Sequence, residues 1–512
     1  MSAAAEPGKG GGMQRVLDAV ERVGNRVPHP VMIFVYLILL VMALSAVLGA
    51  IGASVSFQAY NPASGDIEPA FVAARSLLTV EGIRFMYTSV VANFMGFNAV
   101  GVIIIAMVGV GVAEEAGLVK ALIRKLVLVA PPRALTYILC FVGIVSSIAA
   151  DAGYLVLIPL AAAAYLSVGR HPLAGLAVGF ASVAAAFLVN VLIVPTDGIL
   201  TEITNDAIRL VNPSATIDLA ANLWFSIGSV VMLTIVISLI TERVIEPRLG
   251  AYTGGYEVPG ENAMTEAEQR GLRLALWGFL GSLAFVLALA LPPGAPLRHP
   301  ETGALVGATP FMNSLIVTIA LIFMVCGICY GRGAGTLKTT NEAIGAMQKS
   351  IAGLSGLILL LLVISQFIAY FNYTNMATLA AVSMADVLKT MNLPPVALLV
   401  GFVVAVFGLD LIITAAIAKW AIFAPVFVPL LMQLGMEPEA VLAAYRVGDS
   451  PMNAITPLNA YFAMIVTFAI KYQKDAGVGT VIALMLPYVA VLCVVWTLFL
   501  VGWYLLGLPW GI

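Results

Sequence analysis

Charged residues are what this sequence has least of. Only 10% of its 512 residues are Asp, Glu, Lys or Arg, whereas 61% are apolar. A soluble domain carries roughly 25% charged residues, so the composition excludes a soluble protein and predicts an all-α polytopic membrane protein embedded in the lipid bilayer. The net charge of −2 says nothing about nucleic acid, but no basic run in the chain would support a nucleic-acid partner.

Cysteine and histidine are also scarce. The four cysteines lie in apolar runs, which do not form a disulfide framework. We interpret Cys326-x-x-Cys329 as packing, because no second ligand pair accompanies it as a zinc site requires. The three histidines stand apart beside prolines, and no phosphate-binding loop follows a strand pattern. These absences argue against an enzyme, a bound cofactor and an ATP-driven pump.

Long apolar runs dominate what is present. Windows of about 20 apolar residues predict nine membrane-spanning helices, near residues 31–52, 91–113, 173–196, 222–241, 273–291, 311–330, 351–371, 441–468 and 480–507. Two further runs, 134–166 and 396–430, are too long for one crossing and too short for two with a loop. We interpret each of them as a re-entrant helical hairpin.

The distribution of basic residues supports the two hairpins. If the N-terminus is cytoplasmic, most of the 25 Lys and Arg residues fall on the cytoplasmic side, as the positive-inside rule requires. Making 134–166 a single crossing would move the basic group at 243–273 outside. We therefore predict a cytoplasmic segment 1–30 with an interfacial helix at 13–26, and a C-terminus on the outer side.

A weak internal repeat relates the two halves of the chain. A shift of 266 residues superposes Tyr154 on Trp420, Pro159 on Pro425, Gly169 on Gly435 and Pro172 on Pro438. Since the two hairpins open to opposite sides, we predict an inverted repeat of 91–241 and 351–507, with the first span 31–52 and the scaffold spans 273–330 outside it. Inverted repeats with broken helices are the layout of secondary transporters.

The run 444–459 interrupts an apolar span with an arginine, an aspartate, two asparagines and two prolines. Ionisable groups at membrane depth are costly unless they face a partner or water, and proline leaves carbonyls of the preceding turn free. We predict a polar cavity near the middle of the bilayer, lined by Arg446, Asp449, Ser450, Asn453, Thr456, Pro457 and Asn459. The alternative is a kinked helix with a structural Arg446–Asp449 pair.

Other polar residues occupy the first half and the second hairpin. The candidate ion-coupling residues are Ser146, Ser147, Asp151, Asn190, Thr196, Asp197 and Asp449. The candidate Na⁺ ligands among these and the 444–459 run are Asp197, Asn190 and Asn453, although a lone aspartate serves a proton equally well. Asp151 is alternatively a helix cap, and Asp197 alternatively lies in the headgroup region. In the second hairpin Lys419 either snorkels or pairs with Asp410.

The segments 447–458, 365–375 and 418–420 resemble the p-aminobenzoyl-glutamate transporter (AbgT) family, and the resemblance covers about residues 26–503. It implies a homodimer in the bacterial inner membrane, with a periplasmic C-terminus. It also implies transport of p-aminobenzoyl-glutamate, or efflux of p-aminobenzoate and sulfonamide antimetabolites, driven by Na⁺ or protons. The functional positions it carries over are Asp197, Trp420, Pro438, Arg446, Asp449 and Pro457. Ile417 is apolar where some members have a small hydroxyl residue.

Two of the candidate site residues suit the chemical groups of such a substrate. An aminobenzoate-type ligand has a carboxylate, which suits the planar guanidinium of Arg446, and an aromatic ring, which suits the face of Trp420. We therefore expect an ion-coupled secondary transporter of aromatic carboxylates. The alternatives are a Na⁺/dicarboxylate-type carrier and, from another class, a channel.

Overall fold

The computed structural model describes residues 28–60, 67–128, 130–148, 153–254, 264–305, 309–391, 393–411 and 413–512. The predicted interfacial helix at 13–26 and the candidate ion ligand Asp151 lie outside these residues. Most of the described chain is helical and the described strands form one small sheet, which confirms the predicted fold class.

The first part of the chain contains two long helices, three shorter helices and a small sheet. Its elements are α1 (Pro30–Ala50), β1 (Ser54–Tyr60), β2 (Ile67–Ala73), α2 (Val80–Thr88), α3 (Val90–Met95), α4 (Asn98–Ala116) and α5 (Leu118–Leu128). The strands pair antiparallel with Ser54 opposite Ala73. The chain turns between α4 and α5 at Gly117, whose φ of 90° lies in the left-handed region that glycine tolerates.

The first hairpin and the first broken helix follow. The elements are α6 (Leu135–Val145), a 3₁₀ turn (Ser146–Ile148), a π-helical turn (Gly153–Leu157), α7 (Ile158–Ser167), α8 (Pro172–Ala184) and α9 (Pro195–Ile208). Both halves of the broken helix start with a proline, whose missing N–H costs nothing at a helix start. The predicted span 173–196 is therefore two helices that continue to Ile208.

The middle of the chain returns across the membrane and completes the scaffold. Its elements are α10 (Leu223–Ile240), a π-helical turn (Thr241–Ile245), α11 (Glu246–Leu249), α12 (Glu266–Ala290), α13 (Pro310–Asn313), α14 (Leu315–Ala334) and α15 (Thr340–Gly353). Helix α14 packs against both α4 and α12. These three helices form the scaffold, on one side of which α15 lies against α4.

The second half repeats the arrangement of the first. Its elements are α16 (Ser355–Tyr373), α17 (Met376–Thr390), the hairpin helices α18 (Pro395–Asp410) and α19 (Ala416–Gln433), α20 (Pro438–Asp449), a 3₁₀ turn (Pro451–Ala454), α21 (Phe462–Tyr472) and α22 (Val478–Leu505). The predicted span 441–468 is again two helices, α20 and α21. The sheet, α15 and α17 were not predicted, because a search for windows of about 20 apolar residues detects only long apolar segments.

Eight described helices are long and apolar enough to cross a membrane. Seven of them, α1, α4, α10, α12, α14, α16 and α22, correspond to the predicted continuous spans, and the eighth is the hairpin helix α19. The two broken helices supply the remaining crossings. The matching positions of the repeat also behave alike: Gly169 and Gly435 follow the hairpins with φ of 75° and 83°, and Pro172 and Pro438 begin α8 and α20.

Small residues allow the scaffold helices to approach closely. A Cβ added at Gly109 of α4 would overlap the backbone of Ala320 in α14, and one added at Gly327 would lie 2.7 Å from the Cα of Ala113. Membrane helices associate through such small-residue contacts because lipid supplies no hydrophobic drive between them.

We expect Gly109→Ala to lower the free energy of unfolding by about 1–3 kcal/mol, because the added methyl group overpacks the α4–α14 contact. Gly101→Ala on the same helix is the matched control, since a Cβ there meets no atom within 4 Å. Thermal unfolding in detergent measures both. Equal melting temperatures for the two variants would contradict the close approach.

Candidate functional site

The two broken helices meet at the centre of the molecule. The break between α8 and α9 spans 185–194, and the break between α20 and α21 spans 450–461. Every residue of α8 is buried, as is α20 from Ala440 to Asp449. Non-helical backbone at membrane depth requires such enclosure. The breaks are joined directly, because the Leu188 N–H donates to Ser450 Oγ over 3.3 Å.

An ion pair connects the two halves at this point. Arg446 Nη1 lies 2.6 Å from Asp197 Oδ1 and 2.8 Å from the Leu188 carbonyl oxygen. Its Nε donates to Asn222 Oδ1 over 3.1 Å. The Arg446 side chain is only 4% exposed. Charge-assisted hydrogen bonds of this kind are roughly twice as strong as neutral ones, so this contact fixes α9 relative to α20.

Asp197 has a second role at the start of α9. Its Oδ2 accepts the Val194 N–H over 2.8 Å, which satisfies a backbone donor at the helix N-terminus where a negative charge is favoured. One carboxylate oxygen therefore caps α9 and the other binds Arg446. Asp197 is buried, so its carboxylate contacts protein groups rather than the surroundings of the chain.

A small polar cavity lies at Arg446, but none of the other six residues predicted to line it does so, and it is almost closed. It is lined by Asn190, Leu192, Ile193, Asp197, Leu219, Asn222, Leu223, Ser226 and Arg446. Its volume of about 10 Å³ has room for no more than about one water molecule. An aromatic carboxylate does not fit without movement of the surrounding helices.

Polar side chains hold the first hairpin against the first break. Asn190 Nδ2 donates to Ser147 Oγ over 2.9 Å and to the Val145 carbonyl over 3.1 Å. Ser146 Oγ donates to the Gly143 carbonyl over 2.6 Å. Both serines and Asn190 thus satisfy backbone and side-chain groups at the hairpin tip. Thr196 is half-buried and directly precedes Asp197.

Asparagines support the second break in a similar way. Asn453 Nδ2 donates to the Asp449 carbonyl over 2.9 Å, and Asn459 Nδ2 donates to the Asn453 carbonyl over 3.0 Å. Thr456 Oγ1 donates to the Leu411 carbonyl of the second hairpin over 3.3 Å. These bonds occupy carbonyls in the break around Pro457, which cannot donate a backbone N–H.

The three candidate Na⁺ ligands do not share one cavity. Asn190 and Asp197 line the central cavity, but Asn453 does not. The guanidinium of Arg446 lines the same cavity, and a like charge disfavours a second cation there. We conclude that the predicted Asp197, Asn190 and Asn453 set is not assembled in this conformation.

A second group of buried charged residues lies beside the Arg446–Asp197 pair. Lys419 Nζ pairs with Asp410 Oδ1 and lies 2.8 Å from Asp449 Oδ1, and all three side chains are 0% exposed. The Tyr445 hydroxyl lies 2.7 Å from Asp449 Oδ1. Lys419 therefore pairs with Asp410 rather than snorkelling. The alternative of an Arg446–Asp449 pair is wrong, because Asp449 at the end of α20 faces Lys419 while Arg446 extends to Asp197.

This cluster is not balanced in charge. It contains two carboxylates and one ammonium group, and the Oδ2 atoms of Asp410 and Asp449 have no hydrogen-bond partner among the described residues. A buried carboxylate oxygen without a partner is costly. With both carboxylates ionised the cluster carries one negative charge in excess, which a proton or a small cation would neutralise.

Trp420 is packed inside the protein instead of facing an open cavity. Its indole is 0% exposed, stacks on Tyr445 with ring centres 4.5 Å apart, and donates its Nε1–H to Thr204 Oγ1 over 3.0 Å. The equivalent aromatic residue of the first hairpin, Tyr154, stacks on Tyr461 at 4.2 Å. Each hairpin thus places an aromatic ring on the broken helix of the other half.

Pro438 lies away from the central cavity. It begins α20 eight residues before Arg446, about 12 Å along the helix. Its neighbours Glu437 and Glu439 line a separate cavity of about 590 Å³. Asp218 also lines this cavity, and burial raises the pKa of its carboxyl group.

Sequence reasoning missed Asn222, which connects Arg446 in the central cavity with Glu439 beside the larger cavity. Its Oδ1 accepts from Arg446, while its Nδ2 donates to the Glu439 carbonyl over 2.9 Å. A single amide at the edge of a span gives no periodic signal. Tyr445 and Thr204 were also missed, because both contact Trp420, which is distant from them in sequence.

The chain is similar to known proteins over nearly its whole length. The family model described as the AbgT putative transporter family matches residues 15–512. The p-aminobenzoyl-glutamate transport protein of Escherichia coli (strain K12) is 36% identical over 495 residues, which cover 96% of this chain and 95% of that protein.

Two solved structures are similar over nearly their full length. The YdaH transporter of Alcanivorax borkumensis is 40% identical with a TM-score of 0.88, covering 95% of this chain and 100% of that chain. MtrF of Neisseria gonorrhoeae, described as illuminating a class of antimetabolite efflux pumps, is 38% identical with a TM-score of 0.90. That match covers 96% of this chain and 97% of that chain.

We expect Lys419→Met to lower the free energy of unfolding by roughly 3–5 kcal/mol, because it leaves two buried carboxylates without their cation. Lys419→Met with Asp410→Asn should regain much of this loss. Lys471→Met is the control, because that lysine is exposed. Thermal unfolding measures all three, and a Lys419→Met protein as stable as the control would show that the cluster does not stabilise the fold.

Proposed function

Because the chain belongs to the AbgT family and is therefore a membrane transporter, we propose that it is an ion-coupled secondary transporter of p-aminobenzoyl-glutamate and related aromatic carboxylates. The similar Escherichia coli protein is named for p-aminobenzoyl-glutamate transport. The similar Neisseria protein is described among antimetabolite efflux pumps, which favours export of sulfonamide-type antimetabolites as a further activity of the same site.

The buried Arg446–Asp197 pair is the observation that carries this proposal. Arg446 is the cation of the central cavity, and its present partner is a carboxylate of the protein. A substrate carboxylate matches the guanidinium in the same way as Asp197 does. In the proposed mechanism the substrate carboxylate takes the place of Asp197 on Arg446.

This exchange opens a place for the aromatic ring. Asp197 lies in the first turn of α9, and Thr204 on the same helix accepts the indole N–H of Trp420. Release of Asp197 loosens α9 from Arg446 and allows it to separate from Trp420. The indole face opposite Tyr445 then becomes available to the substrate ring. Pro438, Pro457, Asn453 and Asn459 keep the second broken helix in place during this movement.

We assign ion coupling to the cluster of Asp410, Lys419 and Asp449. One proton or one Na⁺ ion neutralises its extra negative charge, and the two unpartnered Oδ2 atoms are its ligands. Asp449 and Arg446 belong to the same turn of α20. Binding of the ion therefore affects the helix that carries the substrate-binding guanidinium. Ser146, Ser147, Asn190 and Thr196 hold the first hairpin and the first break in the conformation in which Asp197 reaches Arg446.

The proposed setting is the bacterial inner membrane, with a cytoplasmic N-terminus, a periplasmic C-terminus and two copies of the chain in a homodimer. The basic residues between the spans support this orientation. A Na⁺/dicarboxylate-type carrier is the second candidate, because the fully buried Trp420 leaves no aromatic face open in this conformation.

Transport into proteoliposomes tests the substrate. We expect p-aminobenzoyl-glutamate and p-aminobenzoate to be transported, and succinate not to compete. Arg446→Ala should lower the affinity for substrate at least about 30-fold, as removal of a buried charge from a charged contact does. Arg446→Lys should retain a fraction of the activity, because lysine keeps the charge without the planar fork.

The control for Arg446 is Arg209→Ala, which removes a surface ion pair with Asp206 and should leave transport intact. Unchanged affinity in Arg446→Ala would remove this residue from the substrate site. Competition by succinate, without transport of either aromatic compound, would favour the dicarboxylate carrier.

Asp449→Asn tests ion coupling separately. We expect this variant to lose accumulation driven by a Na⁺ gradient or a pH gradient, because a neutral amide no longer exchanges a proton or cation. Counterflow of labelled substrate between equal concentrations should persist. The measurement compares both fluxes with those of Asp206→Asn. If gradient-driven accumulation survives in Asp449→Asn, this cluster is not the coupling site.

A further inference from the structure

A large apolar cavity lies between the scaffold and the first half of the chain. Its volume is about 600 Å³, within the range of small-ligand cavities. It is lined by Leu118, Leu122, Lys125, Val191, Leu192, Ile193, Leu223, Leu272, Arg273, Ala275, Leu276, Phe279, Ile319, Ile322, Phe323 and Cys326. None of the charged or polar residues assigned above to the substrate site or the coupling cluster lines it.

The lining combines an apolar interior with two cations. Lys125 and Arg273 are its charged side chains, and no acidic residue lines it among the part of the chain that the structure describes. Both cations are exposed, and neither has a hydrogen-bond or ion-pair partner among the described residues. Lys125 lies in the last turn of α5 and Arg273 in the first part of α12. Two unpaired cations at one site favour an anionic group.

The cavity is open at an apolar part of the surface. Leu192 and Leu276 of its lining are 52% and 57% exposed, and apolar surface of this kind favours contact with an acyl chain. The two basic residues belong to segments that the distribution of Lys and Arg places on the cytoplasmic side. Basic pockets between membrane helices on that side bind the headgroups of anionic lipids.

The lining also disfavours the transported substrate as an occupant. Apart from the two basic residues, it offers only the Cys326 thiol as a polar side-chain group. The amide and amine groups of an aminobenzoyl conjugate would be left without hydrogen-bond partners, which is costly. An acyl chain has no such groups.

We propose that this cavity binds an anionic phospholipid, with its acyl chain along the apolar lining and its headgroup between Lys125 and Arg273. Leu192, Ile193 and Leu223 line both this cavity and the small central cavity. The bound chain therefore packs against the wall of the central site and stabilises its closed form. The lipid site is independent of the identity of the substrate.

Lipid retention on the purified full-length protein tests this proposal. Native mass spectrometry compares phosphatidylglycerol with phosphatidylcholine of the same chain length. Wild type should retain phosphatidylglycerol in preference, and Lys125→Ala with Arg273→Ala should weaken this retention about tenfold or more, since each basic side chain contributes to attraction of an anionic lipid. Lys120→Ala with Arg243→Ala makes the same change in charge at exposed positions outside the cavity and should retain the preference.

Cys326 gives a second readout that does not depend on transport. It lines the cavity, whereas Cys329 does not. Phosphatidylglycerol should slow the reaction of Cys326 with a small uncharged maleimide in wild type and not in the double variant, with Cys329 as the internal reference. The proposal is overturned by equal retention of the two lipids or by an unchanged preference in the double variant. Protection of Cys326 by p-aminobenzoyl-glutamate, or by a second copy of the chain at high protein concentration, overturns it as well.

Discussion

The ion pair between Arg446 and Asp197 is the contact on which the closed centre of this protein depends. It joins the two broken helices, one from each half of the chain, at membrane depth. Removing two charges from water is expensive, and their mutual attraction repays the cost only with good geometry and further hydrogen bonds. The Leu188 carbonyl and Asn222 supply those bonds to Arg446, and the start of α9 supplies one to Asp197. A partner of the same charge is therefore able to replace Asp197 without leaving the guanidinium unpaired.

Around this ion pair, each hairpin contacts the broken helix of the other half of the chain. Trp420 of the second hairpin contacts α9 of the first half, and Tyr154 of the first hairpin stacks on Tyr461 just before α21. Each hairpin is thus bound to the broken helix of the other repeat. In the proposed mechanism, release of the Arg446–Asp197 pair would therefore affect both hairpins, as a change of access from one side of the membrane to the other requires.

The helices of the fold could be predicted from the sequence, whereas the side-chain contacts at the centre of the molecule could not. Apolar length and the distribution of basic residues were enough for the seven continuous spans and both hairpins, because these depend on the apolar content of one stretch of chain, but they did not show that two spans are broken helices. Asp197 and Arg446 were both recognised as buried polar residues, but their pairing was not. Neighbours three residues apart suggested an Arg446–Asp449 pair, whereas the partners found are 249 residues apart. Such contacts depend on how the two repeats pack, and local spacing carries no information about that.

The central claim is that a substrate carboxylate replaces Asp197 on Arg446. Equilibrium binding of p-aminobenzoyl-glutamate to the purified protein and to Asp197→Asn tests it most directly, with Asp206→Asn as the control. Asparagine still caps α9 but no longer competes for the guanidinium, so the account predicts binding that is several-fold tighter than in wild type and in the control. Weaker binding in Asp197→Asn would mean that Asp197 itself contacts the substrate or its ion, and would contradict the exchange.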